Sequence, residues 1–157
     1  MDTRELLQGG FRYAMSLTHD RQQAEDLLQE AWARVLAANG PRHKGYLYAT
    51  LRNVFHDGVR REKVVRFVPA DQAPEPSSGP HGPETRAAHR ELLDRALGLL
   101  EVEERELLFL NVVEGLTATE LAERTDRPRN TVLSILHRAR QRVRAVIEER
   151  TAREVLG

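Results

Sequence analysis

Five of the seven prolines of this 157-residue chain lie within residues 69–84, which contain two glycines and few apolar side chains. Proline lacks a backbone N–H and disfavours helix in the residue before it, so no regular helix can run through this segment. Structureless connections longer than about 12 to 15 residues are uncommon inside one compact domain. The sequence therefore predicts two folded parts, residues 1–68 and 85–157, joined by a Pro-rich and Gly-rich linker. A long surface loop within a single domain is the less favoured alternative.

The first part has the apolar spacing of helices. Apolar side chains recur every three or four residues across residues 6–17 and again across residues 24–38. Gly40 and Pro41 predict the end of the second helix. A third helix is expected from about Lys44 to Lys63. The first part is thus predicted to be a small helical bundle.

The third predicted helix carries aromatic residues interleaved with basic ones. Tyr46, Tyr48 and Phe55 occur in the same segment as Arg60 and Arg61. Bases of single-stranded nucleic acid stack on aromatic rings while cations follow the phosphates, so this mixture suits an unpaired strand. Aromatic residues at helical spacing also commonly fill a core. Both interpretations remain open from the sequence.

The second part contains a helix-turn-helix pattern. Thr117 and Glu120 have the spacing of a capping box, which predicts the start of a short helix. Asp126 and Pro128 predict a turn, since proline suits the first turn of the next helix. That next helix should run to about Ile147. Two helices joined by a tight turn are typical of proteins that place the second helix in the DNA major groove.

The second helix of this pattern has two distinct faces. One face should pack and comprises Val132, Leu136, Ala139, Val143 and Ile147. The opposite face comprises Asn130, Ser134, His137, Arg138 and Gln141. Residues 127–144 also include six arginines and no acid. Such a segment can dock on several phosphates, whereas a solvated basic helix is the alternative.

Composition limits the remaining possibilities. The chain has 24 basic and 24 acidic residues, but the first part is net positive and the linker net negative. It has no cysteine, so neither disulfides nor thiolate metal sites are available. The six histidines show no metal-ligand spacing and there is no Gly-rich phosphate loop. We therefore expect a cytoplasmic protein with no membrane insertion, no cofactor, no metal and no catalytic residue.

Motifs in both parts resemble the extracytoplasmic-function (ECF, group IV) sigma factors of the sigma-70 family of bacterial RNA polymerase. Residues 24–32, AEDLLQEAW, are similar to the signature of the region 2 helix that binds the polymerase clamp. Residues 104–106, 114–117 and 120–122 are similar to region 4, and residues 131–140 to its recognition helix. The resemblance implies an all-α protein of two small domains, a region 2 helical bundle and a region 4 helix-turn-helix.

The resemblance also implies roles for individual residues. Asp26, Gln29 and Glu30 correspond to the clamp-binding helix, although a solvated helix face would carry the same residue types. The candidate −10 residues, in and just before the third helix, are Arg42, His43, Lys44, Tyr46, Asn53, Asp57, Arg60 and Arg61. The candidate −35 residues are Arg127, Arg129, Asn130, Thr131, Ser134, His137, Arg138, Gln141 and Arg142.

The chain departs from the family pattern at several positions. Leu133 and Ile135 stand where the family usually has basic residues on either side of Ser134. Asn130 stands where a glycine is common, and Glu101 stands where a proline usually opens region 4. These changes remove two expected DNA contacts. Leu133 could instead belong to an apolar patch for a regulator.

An ECF sigma factor is thus the predicted function. The resemblance implies binding to the polymerase core through its clamp and flap, recognition of −10 and −35 promoter DNA, and control by an anti-sigma factor. Two alternatives belong to other classes. A sigma-like mimic would bind an anti-sigma factor without promoter activity, and a plain helix-turn-helix repressor would bind duplex DNA without the polymerase.

Overall fold

The computed structural model describes residues 1–65 and 84–156, which form seven helices and no strand. The helices are α1 Thr3–Thr18, α2 Arg21–Ala37, α3 Lys44–Val65, α4 Glu84–Gly98, α5 Val102–Val112, α6 Ala118–Thr125 and α7 Arg129–Leu156. Helices α1 to α3 form one compact unit and α4 to α7 form another. The all-α prediction is confirmed. The predicted linker lies outside the described residues except for Glu84, which begins α4.

In the first unit each of the three helices packs against the other two. Tyr13 of α1 and Tyr48 of α3 are buried and stack with ring centroids 4.5 Å apart. The Tyr48 hydroxyl donates to the Gly9 carbonyl at 3.0 Å. Tyr48 is therefore a core residue, whereas Tyr46 and Phe55 are partly exposed. The apolar remainder of this core includes Leu6, Ala14, Leu17, Ala24, Leu27, Ala31, Val35, Leu47, Leu51 and Val54.

The turn between α1 and α2 is set by local chemistry. His19 ends α1 with φ of 48°, the left-handed conformation that closes many helices. The Asp20 carboxylate then accepts a hydrogen bond from the Gln23 N–H at 2.8 Å and caps α2. Two antiparallel helices follow from this short connection. Helix α3 packs against both of them and covers their remaining apolar faces.

In the second unit α7 packs against α4, α5 and α6. The shared core is formed by Ala96, Leu100, Leu107, Leu110, Leu121, Val132, Ile135, Leu136 and Ala139. The residues that α7 contributes to this core, Val132 to Ala139, all lie in its first half. Exposed ion pairs between residues four apart, Glu149 with Arg153 and Arg150 with Glu154, support the second half.

Three expectations about the second unit were wrong. Helix α7 continues to Leu156 rather than ending near Ile147, and Ile147 is 42% exposed instead of packed. Ile135, expected at a DNA-facing position, is 2% exposed and lies in the core. Helix α4 was not predicted, since residues 84–98 combine a weak apolar pattern with many charges. Within the described ranges, no helix is long and apolar enough to cross a membrane.

Candidate nucleic-acid and polymerase interfaces

The turn between α6 and α7 has the predicted geometry. The Thr117 hydroxyl accepts from the Glu120 N–H at 3.2 Å, and the Glu120 carboxylate accepts from the Thr117 N–H at 3.1 Å. The hydrogen bond that the Thr117 backbone N–H donates to the Glu120 carboxylate, followed by one from the Thr117 side chain, lowers the pKa of Glu120. Asp126 ends α6 in the left-handed conformation, with φ of 52° and ψ of 50°. A helix-turn-helix therefore forms from Thr117 into α7, as expected.

The first half of α7 presents a polar face to solvent. Asn130, Ser134, His137, Arg138 and Gln141 are all exposed, as are Arg129 and Thr131 on its flanks. The Ser134 hydroxyl donates to the Asn130 carbonyl at 3.0 Å, which leaves the oxygen lone pairs of that hydroxyl on the exposed face. The opposite side of the same helix turns is buried. This arrangement can present hydrogen-bonding groups to base edges while the core holds the helix in place.

Three of the six arginines between residues 127 and 144 have partners within the protein. Arg127 in the turn lies 3.0 Å from the Glu103 carboxylate, and Arg142 lies 3.2 Å from the Glu104 carboxylate. Both acids belong to the first turn of α5. Arg140 donates a short hydrogen bond to the Asn111 side chain near the end of α5. The pairs connect α5 to the segment predicted to bind DNA, and sequence reasoning did not identify them.

The corner between α4 and α5 depends on a buried cation. The Arg105 guanidinium donates to the carbonyls of Leu97 at 3.2 Å and Leu100 at 3.3 Å. The Leu97 carbonyl near the end of α4 also accepts the Leu100 N–H at 3.2 Å, so Arg105 adds a second donor there and joins the end of α4 to the turn that follows it. Burial lowers the pKa of Arg105. The motif Glu104-Arg105-Glu106, identified by resemblance, is thus largely a structural element.

The candidate −10 residues occupy the loop before α3 and the exposed side of that helix. Arg42 and His43 are exposed, and the His43 Nδ1 atom accepts from the Tyr46 N–H at 3.2 Å at the start of α3. The His43 and Tyr46 rings are nearly perpendicular, with an interplanar angle of 76° and centroids 6.4 Å apart. A Cβ atom at Gly40 would lie 2.5 Å from the Tyr46 ring, so any larger residue there would displace the ring. Tyr46 is thereby held beside the loop.

Farther along α3 the candidates share one side of the helix, because Asp57, Arg60 and Arg61 follow Asn53 by four, seven and eight residues. Asn53, Arg60 and Arg61 are exposed. Asp57 is partly exposed and its carboxylate lies 3.9 Å from the guanidinium of Arg34 in α2. The same guanidinium pairs with Glu30 at 3.0 Å. Arg34, which sequence reasoning did not single out, therefore links a candidate clamp residue with a candidate −10 residue.

The candidate clamp residues lie together on the exposed side of α2. Asp26, Gln29 and Glu30 are exposed, and Asp26 accepts a hydrogen bond from Gln22 at 3.1 Å. The buried side of α2 contributes Ala24 and Leu27 to the core. The polar face is available to a partner. In the part of the chain that the structure describes, no cluster of His, Asp or Glu side chains could hold a metal ion.

Comparison with known families identifies the chain. Residues 4–64 match the family described as Sigma-70 region 2, and residues 90–143 match Sigma-70, region 4. The chain belongs to the sigma-70 family of RNA polymerase sigma factors, in its ECF group. Sigma factors are non-catalytic transcription initiation factors. The predicted family is confirmed.

Individual relatives are ECF RNA polymerase sigma factors. SigD of Mycobacterium tuberculosis is 32% identical over 131 residues, which cover 77% of this chain and 61% of SigD. SigL of the same species is 29% identical over 88% of this chain and 82% of SigL. SigM of Bacillus subtilis is 28% identical over 87% of this chain and 86% of SigM. The chain thus spans less than two thirds of SigD.

A solved structure shares the fold. The sigma factor RpoE from Bartonella quintana, crystallised with the anti-sigma factor NepR, superposes with a TM-score of 0.66. The sequences are 23% identical, and the match covers 91% of this chain and 92% of RpoE. This likeness shows that the succession of helices is that of a sigma factor.

Proposed function

We propose that this chain binds the bacterial RNA polymerase core and directs it to promoters that carry specific −10 and −35 elements. The first unit would bind the clamp and open the −10 DNA. The second would hold the −35 duplex and the polymerase flap, and the protein would act in the cytoplasm. Membership of the sigma-70 family supports the polymerase as partner.

The observation that carries the proposal is the polar face of α7 in its helix-turn-helix setting. Asn130, His137 and Gln141 lie on one exposed stripe, while Val132 and Leu136 anchor the opposite side. Amide and imidazole groups can hydrogen-bond base edges in the major groove. Three exposed arginines of α7, Arg129, Arg138 and Arg144, flank this stripe and supply phosphate contacts.

The first unit supports the −10 and clamp roles. Arg42 and His43 are exposed in the loop that precedes α3, and Tyr46 is fixed beside them by its packing over Gly40. Extracting a base from the duplex costs a few kcal/mol, so cationic and aromatic groups must be positioned in advance to offset that cost. The carboxylates of Asp26 and Glu30 provide complementary charge for a basic partner surface.

A second candidate function is that of a sigma-like protein that acts chiefly by binding an anti-sigma factor. Two observations favour it. The RpoE structure contains an anti-sigma factor, and this chain has Leu133 and Ile135 where the family usually has basic residues. The burial of Ile135 weakens this argument, because a core residue cannot be a missing DNA contact that a regulator then uses.

The test is run-off transcription with the purified chain, bacterial core polymerase and DNA from around its own gene, with RNA 5′ ends mapped. Discrete starts that require the chain would establish promoter-directed initiation and would yield the −10 and −35 sequences together. Tight binding to the core or to a regulator without any start would favour the second candidate. Tight duplex binding without the polymerase would indicate a repressor.

A further inference from the structure

Leu133 is an apolar side chain at the edge of the polar face of α7. It is 40% exposed, whereas its neighbours Val132, Ile135 and Leu136 are at most 3% exposed and fill the core. The core is therefore complete without Leu133. A single exposed leucine is common on a protein surface, but this one lies beside the polar face of α7, where it can contact whatever that face binds.

The surroundings of Leu133 are those of a nucleic-acid reader. The residues one helical turn away on the exposed side are Arg129, Asn130 and His137, all exposed and all able to donate hydrogen bonds to DNA. Leu133 is the fifth residue of α7, and the N-terminal residues of a recognition helix are those that reach base edges. In the proposed complex Leu133 would therefore lie at the edge of the surface that meets the base edges.

We propose that Leu133 recognises the 5-methyl group of a thymine in the −35 duplex. This inference rests on the proposed function of the second unit. Thymine alone presents a methyl group in the major groove, and an apolar side chain in contact with it excludes water from both surfaces. Leucine has no donor for a phosphate or a base edge, so it gains nothing from the other bases.

With Leu133 in place of the family's basic residue, this position makes a different kind of DNA contact. A basic residue there would add a phosphate attraction that is similar for every sequence. Leucine replaces that contact with one that depends on a single base pair. The chain should accordingly be more selective at one A·T position and less dependent on salt than a variant with a restored cation.

Docking of a protein on Leu133 is the competing interpretation. A protein interface is usually anchored by a cluster of buried apolar residues. Of the other exposed large apolar residues of the second unit, Ile147, Val155 and Leu156 lie about 20 Å or more farther along α7, and the rest lie on other elements, including Leu93 on α4 and Leu99 in the turn that follows it. Polar and basic side chains surround Leu133 instead, which favours DNA.

The experiment uses the polymerase holoenzyme on the promoter mapped by run-off transcription. Each thymine of the −35 element, on either strand, is replaced in turn by deoxyuridine, which lacks only the methyl group. We expect one replacement to weaken wild-type binding about three- to fivefold, as loss of one partly buried methyl contact implies. Leu133→Ala should bind the normal promoter more weakly by a similar factor and should not respond to that replacement.

Two further variants complete the test. Leu99→Ala, an exposed leucine outside α7, should keep the full response to deoxyuridine. Leu133→Lys should lose the response and gain a salt slope steeper by about one unit. Equal binding of wild type to every deoxyuridine promoter would overturn the proposal, as would a full response retained by Leu133→Ala. Absence of any chain-dependent start would instead refute the proposed function itself.

Discussion

The Glu104 carboxylate, whose side chain is 3% exposed, lies 3.2 Å from the guanidinium of Arg142 and also accepts the Glu101 N–H at 3.0 Å. One buried oxygen thus joins the start of α5 to the middle of α7. It adds a polar contact to the packing of α5 against α7. The sequence predicted that Arg142 contacts DNA. Its ion pair with Glu104 gives it a second role, because the pair joins α7 to α5.

We predict that Arg142→Ala destabilises the second unit. Removing the cation leaves a buried carboxylate with one fewer partner, and the cost should be about 1 to 2 kcal/mol because Arg142 itself is half exposed. Circular dichroism during thermal unfolding of the full chain would measure it. Arg144→Ala, which removes an exposed arginine of the same helix, is the matched control and should change little. Identical melting of the two variants would refute the prediction.

Replacing Gly10 and Gly58 of the first unit by alanine should change the free energy of unfolding in opposite directions. A Cβ atom at Gly10 would lie 2.8 Å from a Leu47 methyl and 2.9 Å from a Leu28 methyl, whereas one at Gly58 would meet nothing within 4 Å. Gly58→Ala should stabilise α3 by about 0.5 to 1 kcal/mol through helix propensity. Gly10→Ala should destabilise the unit by about 1 kcal/mol through overpacking. Urea unfolding monitored by Trp32 fluorescence would give both signs, and matching signs would contradict the packing argument.

Features that depend only on residues close together in the sequence were predicted correctly. The Thr117–Glu120 cap, the turn at Asp126 and the exposed stripe of α7 follow from local hydrogen bonding and helical spacing, and the structure confirms them. The burial of Ile135 was not predictable in the same way. It sits beyond the edge of the ideal apolar stripe and is covered only because α7 contacts three other helices.

Ion pairs between residues far apart in the sequence were the second feature that the sequence could not predict. An arginine-rich helix has the same sequence whether its cations face solvent, DNA or acids elsewhere in the fold. The pairs Glu103–Arg127 and Glu104–Arg142 join residues that are more than 20 positions apart, so only tertiary packing brings them together. Similarity to region 4 identified this segment, but it could not distinguish the exposed arginines from those that are paired with acids inside the unit.

The capping box of α6 should make that helix sensitive to acid. Hydrogen bonds from Thr117 lower the pKa of Glu120 in the folded state, so its contribution is present above the unfolded pKa and is lost as the pH falls through the folded pKa. Glu120→Gln keeps the hydrogen-bonding shape without titrating. Chemical denaturation of wild type and variant between about pH 6 and pH 3 would compare them. The stability difference should shrink or reverse in acid, and a constant difference would contradict the prediction.

Asp26→Lys should weaken binding to the polymerase core. The substitution reverses one charge on the exposed face of α2 and breaks the Gln22 hydrogen bond, but it leaves the buried side intact. Affinity for purified core polymerase should fall at least tenfold, the scale of a like-charge contact in an interface. Glu5→Lys, which reverses an exposed charge on α1, is the control and should bind nearly as wild type. Wild-type affinity of Asp26→Lys at unchanged helix content would remove α2 from the clamp interface.

Arg138→Ala and Arg127→Ala should differ in how salt affects promoter binding. Arg138 is exposed on α7, and its loss should flatten the plot of log affinity against log salt by about one unit, as for one phosphate contact. Arg127 is mostly buried and already paired with Glu103 at 3.0 Å, so neutralising it releases few counterions from DNA. Its loss should lower affinity with a smaller change of slope. Titrations of holoenzyme on the mapped promoter at several salt concentrations would separate the two, and equal slopes would mean that Arg127 leaves Glu103 to bind a phosphate.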